Sequence, residues 1–166
     1  MKVALFGKEF KEDQKKYLQQ ILNELVNNNI ELCFFQPYHD KIKDHLDLPT
    51  NLNTFSNHID INDGTDMLFS IGGDGTILDT IPLVRDSGIP ILVINLGRLG
   101  FLSSISKNEI KQALESIFKG KYYIDKRALL ELEQPEGIFG ELNFALNDLT
   151  INRNNTTSLI VVHVYV

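Results

Sequence analysis

Cysteine occurs once in the 166 residues, at Cys33. A lone cysteine excludes an internal disulfide and a cysteine zinc cluster. No apolar run approaches the roughly 18–20 residues that cross a bilayer as a helix. The opening stretch from Met1 to Gly7 is too short, and too soon broken by Gly7 and Lys8, to read as a signal peptide. Bases are in the minority, 16 Lys+Arg against 22 Asp+Glu, and the resulting formal charge of −6 argues against a bulk electrostatic nucleic-acid binder. His39, His45, His58 and His163 show no metal-ligand spacing, and no residue is assigned to a metal. What is present is globular composition, 43% hydrophobic and 23% charged residues. The expectation is a cytoplasmic protein of one domain, or one domain plus the beginning of another.

Strand and helix patterns alternate over the first two-thirds of the chain. Val3 to Phe6 is a short apolar run closed by Gly7, as in a buried strand. Tyr17, Leu18, Ile21, Leu22, Leu25 and Val26 recur at helical spacing until Asn27-Asn28-Asn29 ends the pattern. Ile30 to Phe35 reads as a second strand, and 37–57 as a polar loop with a short helix near Ile42 to Leu46. Met67 to Ile71 is a strand feeding a glycine-rich turn, followed by a helix from about Thr76 to Arg85 that Pro82 bends or shortens. Ile89 to Ile94 is the most apolar strand. Ser106 and Glu109 read as a reciprocal capping box ahead of a helix that stops at Gly120. This alternation predicts an α/β fold, a Rossmann-like doubly wound parallel sheet with helices on both faces.

After Gly120 the pattern changes. Leu130 and Leu132 alternate with Glu131 and Glu133, Gln134 to Gly137 is a turn cluster, and Glu141 to Arg153 and Ser158 to Val166 read as further strands. The expected division is an α/β nucleotide-binding domain over 1–122 and the first strands of a truncated all-β domain over 123–166. The apolar stretch near Val166 is either a last strand of the first sheet or an unfinished β edge that pairs with another chain.

The chemistry concentrates in Gly72-Gly73-Asp74-Gly75-Thr76, between a buried strand and a helix. Its glycines let backbone amides approach a ligand, the first helical amides can bind phosphate, and Thr76 adds a hydroxyl. A carboxylate among such amides repels phosphate. Asp74 therefore caps the helix, binds Mg²⁺, holds a sugar hydroxyl, or removes a proton. A Walker A loop is excluded by the missing Lys-Ser or Lys-Thr, and the dinucleotide fingerprint by Leu78 where its third glycine would stand. A second segment, Asn95 to Leu102, offers Asn95 as a hydrogen-bonding group and Phe101 as either a core residue or a stacking surface for a base. Arg98 is the nearest basic candidate. A third, Asn147-Asp148-Leu149-Thr150, forms a turn or forks onto ribose hydroxyls.

In order and spacing, these three segments resemble the NAD kinase family. The resemblance implies transfer of the terminal phosphoryl group of ATP, with Mg²⁺, to the 2′-hydroxyl of the adenosine ribose of NAD, giving NADP. It implies an α/β domain followed by a β-sandwich-like domain, assembled as a homodimer or homotetramer. Carried over by resemblance, Asp74 is the base, and Gly73, Gly75, Thr76 and Asn95 belong to the nucleotide site. Phe101 lies against adenine, and Asn147 and Asp148 hold a ribose. Two departures stand out. The family's Thr-Pro-Thr-Gly-Ser-Thr-Ala-Tyr-like loop is absent, and Asp79 stands where some relatives carry a base. The 166 residues by themselves are thus expected to be inactive. Because diacylglycerol and sphingosine kinases share variants of the glycine turn, a lipid or sphingoid phosphotransferase is a competing reading, as is a non-catalytic nucleotide-binding module.

Overall fold

The computed structural model describes residues 1–50, 52–61, 64–97, 100–102, 105–133, 137–146, 148–152, 161 and 163. They form two compact units, Met1–Lys126 and Arg127–Val166.

The first unit is an α/β sheet. Its strands are β1 (Lys2–Gly7), β2 (Glu31–Phe35), β3 (Asn53–Phe55), β4 (Met67–Ile71), β5 (Ile91–Asn95) and β6 (Ile105–Ser106), in the spatial order β3-β2-β1-β4-β5-β6. All pairings are parallel, with Leu5 opposite Phe34 on one side and Phe69 on the other. The order reverses between β1 and β4, the doubly wound arrangement in which ligands bind beyond the carboxyl ends of the strands.

Alternation along the strands divides the core between two faces. Val3, Leu5, Phe69 and Ile94 pack with α1 (Lys15–Asn27), α2 (Gln36–Ile42) and α6 (Ile110–Phe118), through Ile21, Leu25, Tyr38, Ile42 and Leu114. Ala4, Phe6 and Leu68 face α3 (His58–Ile61) and α5 (Ile81–Val84), through Ile61 and Val84. Each fully buried Leu or Ile here contributes about 1.5–3 kcal/mol relative to exposure. Among the described residues, no helix is long and apolar enough to cross a membrane.

Helix ends follow from local chemistry. α1 closes with Asn29 in the left-handed region at φ 55°, where Ile30 N–H donates to Leu25 O at 3.0 Å and Asn29 N–H to Val26 O at 3.0 Å. α6 closes the same way at Gly120, φ 66°.

Four local expectations need correction. The segment after β2 is not a loop leading to a helix at 42–46. α2 begins at Gln36 with Pro37 in its first turn, where the missing N–H costs nothing, and it buries Tyr38 and Ile42 on one face. The same stretch ends in a strand, β3. The helix expected over 76–85 is two short ones, α4 (Asp74–Leu78) and α5, separated where the buried Thr80 hydroxyl donates to Ile77 O at 2.6 Å and Pro82 begins a new turn. Finally, Ser106 belongs to β6. The Glu109 carboxylate accepts from Ser106 N–H at 3.1 Å and from its hydroxyl at 2.5 Å, so one half of the capping box forms and the other is replaced.

In the second unit, β7 (Leu130–Glu131) pairs antiparallel with β8 (Phe144–Ala145), Leu130 opposite Ala145. Among the described residues of the long strand expected over 141–153, only Phe144–Ala145 is strand, preceded by turns from Gly137 to Glu141. The strand expected over 158–166 lies almost wholly outside the described residues.

Candidate active site

β4 and β5 are neighbours, so the loops leaving their carboxyl ends converge. Gly72 N–H donates to Ile94 O at 3.0 Å, which carries the pairing into the turn itself. A Cβ on Gly72 would lie 2.2 Å from Thr76 Oγ1, so glycine is required for the Thr76 side chain to fold back over the turn. Gly73 O then accepts Thr76 N–H at 2.9 Å and Ile77 N–H at 3.3 Å, opening α4. That helix has five residues, so its dipole adds little to anion binding, and the Thr76 amide is already engaged. Gly75 is exposed, and its Cβ position has no neighbour within 4 Å.

Asp74 is half-buried in the first turn of α4. Its carboxylate bridges to the loop beyond β5. Oδ2 accepts Phe101 N–H at 2.7 Å and Oδ1 accepts Leu102 N–H at 3.0 Å. Two such bonds, one to each oxygen, orient the carboxylate.

Asn95 is buried at the end of β5, and its Oδ1 accepts Gly97 N–H at 2.8 Å, shaping the start of this loop. Its Nδ2 lies 4.0 Å from the Cβ position of Gly73, so its amide group sits beneath the glycine turn. The Phe101 ring is 101% exposed and is therefore no core residue, while its own N–H holds Asp74.

The structure thus brings Gly73, Asp74, Thr76, Asn95 and Phe101 to one end of the sheet, with Gly75 on the exposed side of the turn. Asn147 and Arg98 lie outside the described residues. Asp148 belongs to the second unit, where it is exposed and accepts from Thr150 Oγ1 at 3.4 Å.

Sequence reasoning missed the amides of Phe101 and Leu102, because backbone donors carry no residue signature. It also missed the partner of Asp79. Lys8 Nζ, just beyond β1, pairs with Asp79 Oδ2 at 2.7 Å, and Lys41 Nζ donates to Lys8 O. These residues border a cleft of about 380 Å³ at the carboxyl ends of β1 and β2, walled by Phe6, Phe35 and Pro82. The described residues hold no group of three or more His, Cys, Asp or Glu side chains able to bind a metal ion.

The strand order and the glycine turn at the carboxyl end of a central strand define a doubly wound α/β chain, with one carboxylate clasped by two loop amides. Comparisons narrow this. The model of the ATP-NAD kinase N-terminal domain matches residues 3–122, most of the chain. Proteins named NAD kinase from Cytophaga hutchinsonii and Flavobacterium psychrophilum are 35% and 37% identical over 98% and 99% of this chain. The chain belongs to the NAD kinase family. It spans 56% and 57% of the length of those two relatives. A solved structure of yeast NADH kinase complexed with NADH is similar in fold, with TM-score 0.68 over 79% of this chain and 41% of that one, at 23% identity.

Proposed function

We propose that the protein carrying this chain phosphorylates the 2′-hydroxyl of the adenosine ribose of NAD, with ATP as donor, to give NADP. The observation that carries this reading is the Asp74 carboxylate, half-exposed in a glycine turn at the carboxyl end of β4 and oriented by two amides. Family membership supports it, and the relatives favour neither a lipid acceptor nor a non-catalytic module.

In the proposed step the ribose oxygen forms a bond to the terminal phosphorus of ATP as the bond to the bridging oxygen of ADP breaks. The hydroxyl proton passes to Asp74, a contribution of roughly 10²–10⁴-fold in rate for a positioned general base. The backbone of the exposed Gly75 and the Thr76 hydroxyl are assigned to substrate contacts beside it. Phe101 is assigned to the adenine, Asn95 to holding the loop, and Asn147 and Asp148 to a ribose of NAD. Mg²⁺ would enter with the ATP and offset the charge of its phosphates; no step is routed through it.

The division at 122/123, with the second part as the first strands of a β domain, belongs to the same reading. So do a homodimer or homotetramer and a cytoplasmic location. The test is incubation of the full protein that carries these residues with NAD, ATP and Mg²⁺. NADP is the expected product. Its absence, or phosphate incorporation into diacylglycerol in its place, overturns the proposal.

A further inference from the structure

The contact between Asp74 and the loop beyond β5 is closer than hydrogen bonding alone requires. A Cβ built on Gly100 would lie 2.2 Å from Asp74 Oδ1, 2.4 Å from Cγ and 2.5 Å from Oδ2. The carboxylate is therefore seated on bare backbone, in volume that any other residue at position 100 would fill. The next two residues supply the donors, Phe101 N–H to Oδ2 and Leu102 N–H to Oδ1. Three consecutive residues thus act on one carboxylate: the first leaves the space, and the other two fix each oxygen.

We propose that Gly100 is a positioning residue for Asp74, and that the backbone of 100–102 forms a seat that aims the carboxylate. The proposal rests on the reading of Asp74 as the base that takes the ribose proton. Asp74 stands on α4 while the seat belongs to the β5–β6 loop, so the direction of the carboxylate depends on how two loops meet. Displacement by a Cβ at 100 moves the oxygens by an ångström or more. A misplacement of that size costs on the order of 10²-fold in rate while leaving substrate contacts elsewhere intact.

A double-mutant cycle tests this on the full protein. Gly100→Ala is expected to lower kcat by roughly 10²-fold, with the KM for NAD within about twofold of the wild-type value. In the Asp74→Ala background, where the collision and the carboxylate are both gone, Gly100→Ala is expected to cost nothing further in kcat and to leave the denaturation midpoint unchanged. Equal losses in the two backgrounds would show a merely structural glycine and overturn the proposal. If Gly100→Ala does not fold, Leu102→Pro compared with Leu102→Ala removes the amide donor at 102. A kcat at least roughly tenfold lower for the proline variant supports the seat, and equal values overturn it. Coupling in the denaturation midpoint with no NADP formed by the wild-type protein would instead sink the reading of Asp74 as a base.

Discussion

The ring of Tyr38 occupies the volume that a side chain on Gly7 would need: a Cβ there would lie 2.5 Å from Tyr38 Cζ. Gly7 ends β1 at the point where the strand order reverses, and Tyr38 reaches it from the first turns of α2. Its hydroxyl is buried and has no hydrogen-bond partner among the described residues, so the ring is held by shape while its polar atom is a liability. Tyr38→Phe is expected to keep the fold and raise stability by about 1 kcal/mol, whereas Gly7→Ala is expected to lower it by more than that. Denaturant unfolding checks both. Burial also pushes the Tyr38 phenol up from its ordinary value of 10.0. A raised folded-state value means stability fully present below pH 10.0 and lost as pH rises above it. Tyr38→Phe should flatten that alkaline decline; an unchanged slope contradicts the assignment.

Glu109 gives the opposite sign. Its carboxyl is held below the usual glutamate range by the Ser106 hydroxyl and then by the Ser106 amide. A depressed folded-state value gives stability present above the ordinary glutamate range and lost as pH falls through the folded value. Urea midpoints measured down the acid range should fall less steeply in Glu109→Gln than in the wild type.

Arg85 follows α5 with φ 50° and ψ −126°, a conformation open to glycine and costly for a side chain. Arg85→Gly is expected to stabilise the protein by about 1 kcal/mol despite loss of the Arg85 Nε bond to Pro82 O. A lower melting temperature in the variant would show that its hydrogen bonds outweigh the strain.

Phe101 separates stability from binding. Because its ring is fully exposed, Phe101→Ala should change unfolding free energy by less than about 0.5 kcal/mol. If the ring carries adenine, the same variant should bind NAD roughly tenfold more weakly by calorimetry, in line with the size of aromatic stacking terms. Unchanged NAD affinity would remove Phe101 from the site.

The parts of the fold legible in the sequence were those in which one face of one element is buried. α1 and α6 show helical spacing and end at Asn29 and Gly120, and β1, β4 and β5 are apolar runs. Short elements were not legible. β3 is three residues of mixed polarity whose strand character comes from pairing with β2, a partner outside any local window. Pro37 reads as a breaker from its own chemistry, and only its place in the first turn of α2 makes it a helix starter. At the site, the side chains that bear charge or hydroxyls could be named in advance, Asp74 and Thr76 above all. The loop amides that orient Asp74 could not, because their effect depends on two distant segments meeting.

The account depends most on what the Asp74 carboxylate does to a ribose hydroxyl. The most direct measurement is NADP formation by the full protein and by Asp74→Asn, which keeps the shape and a hydrogen-bonding oxygen but cannot accept the proton. The account predicts a kcat lower by roughly 10²–10⁴-fold with the fold intact by circular dichroism. An asparagine variant that turns over NAD at the wild-type rate would contradict it.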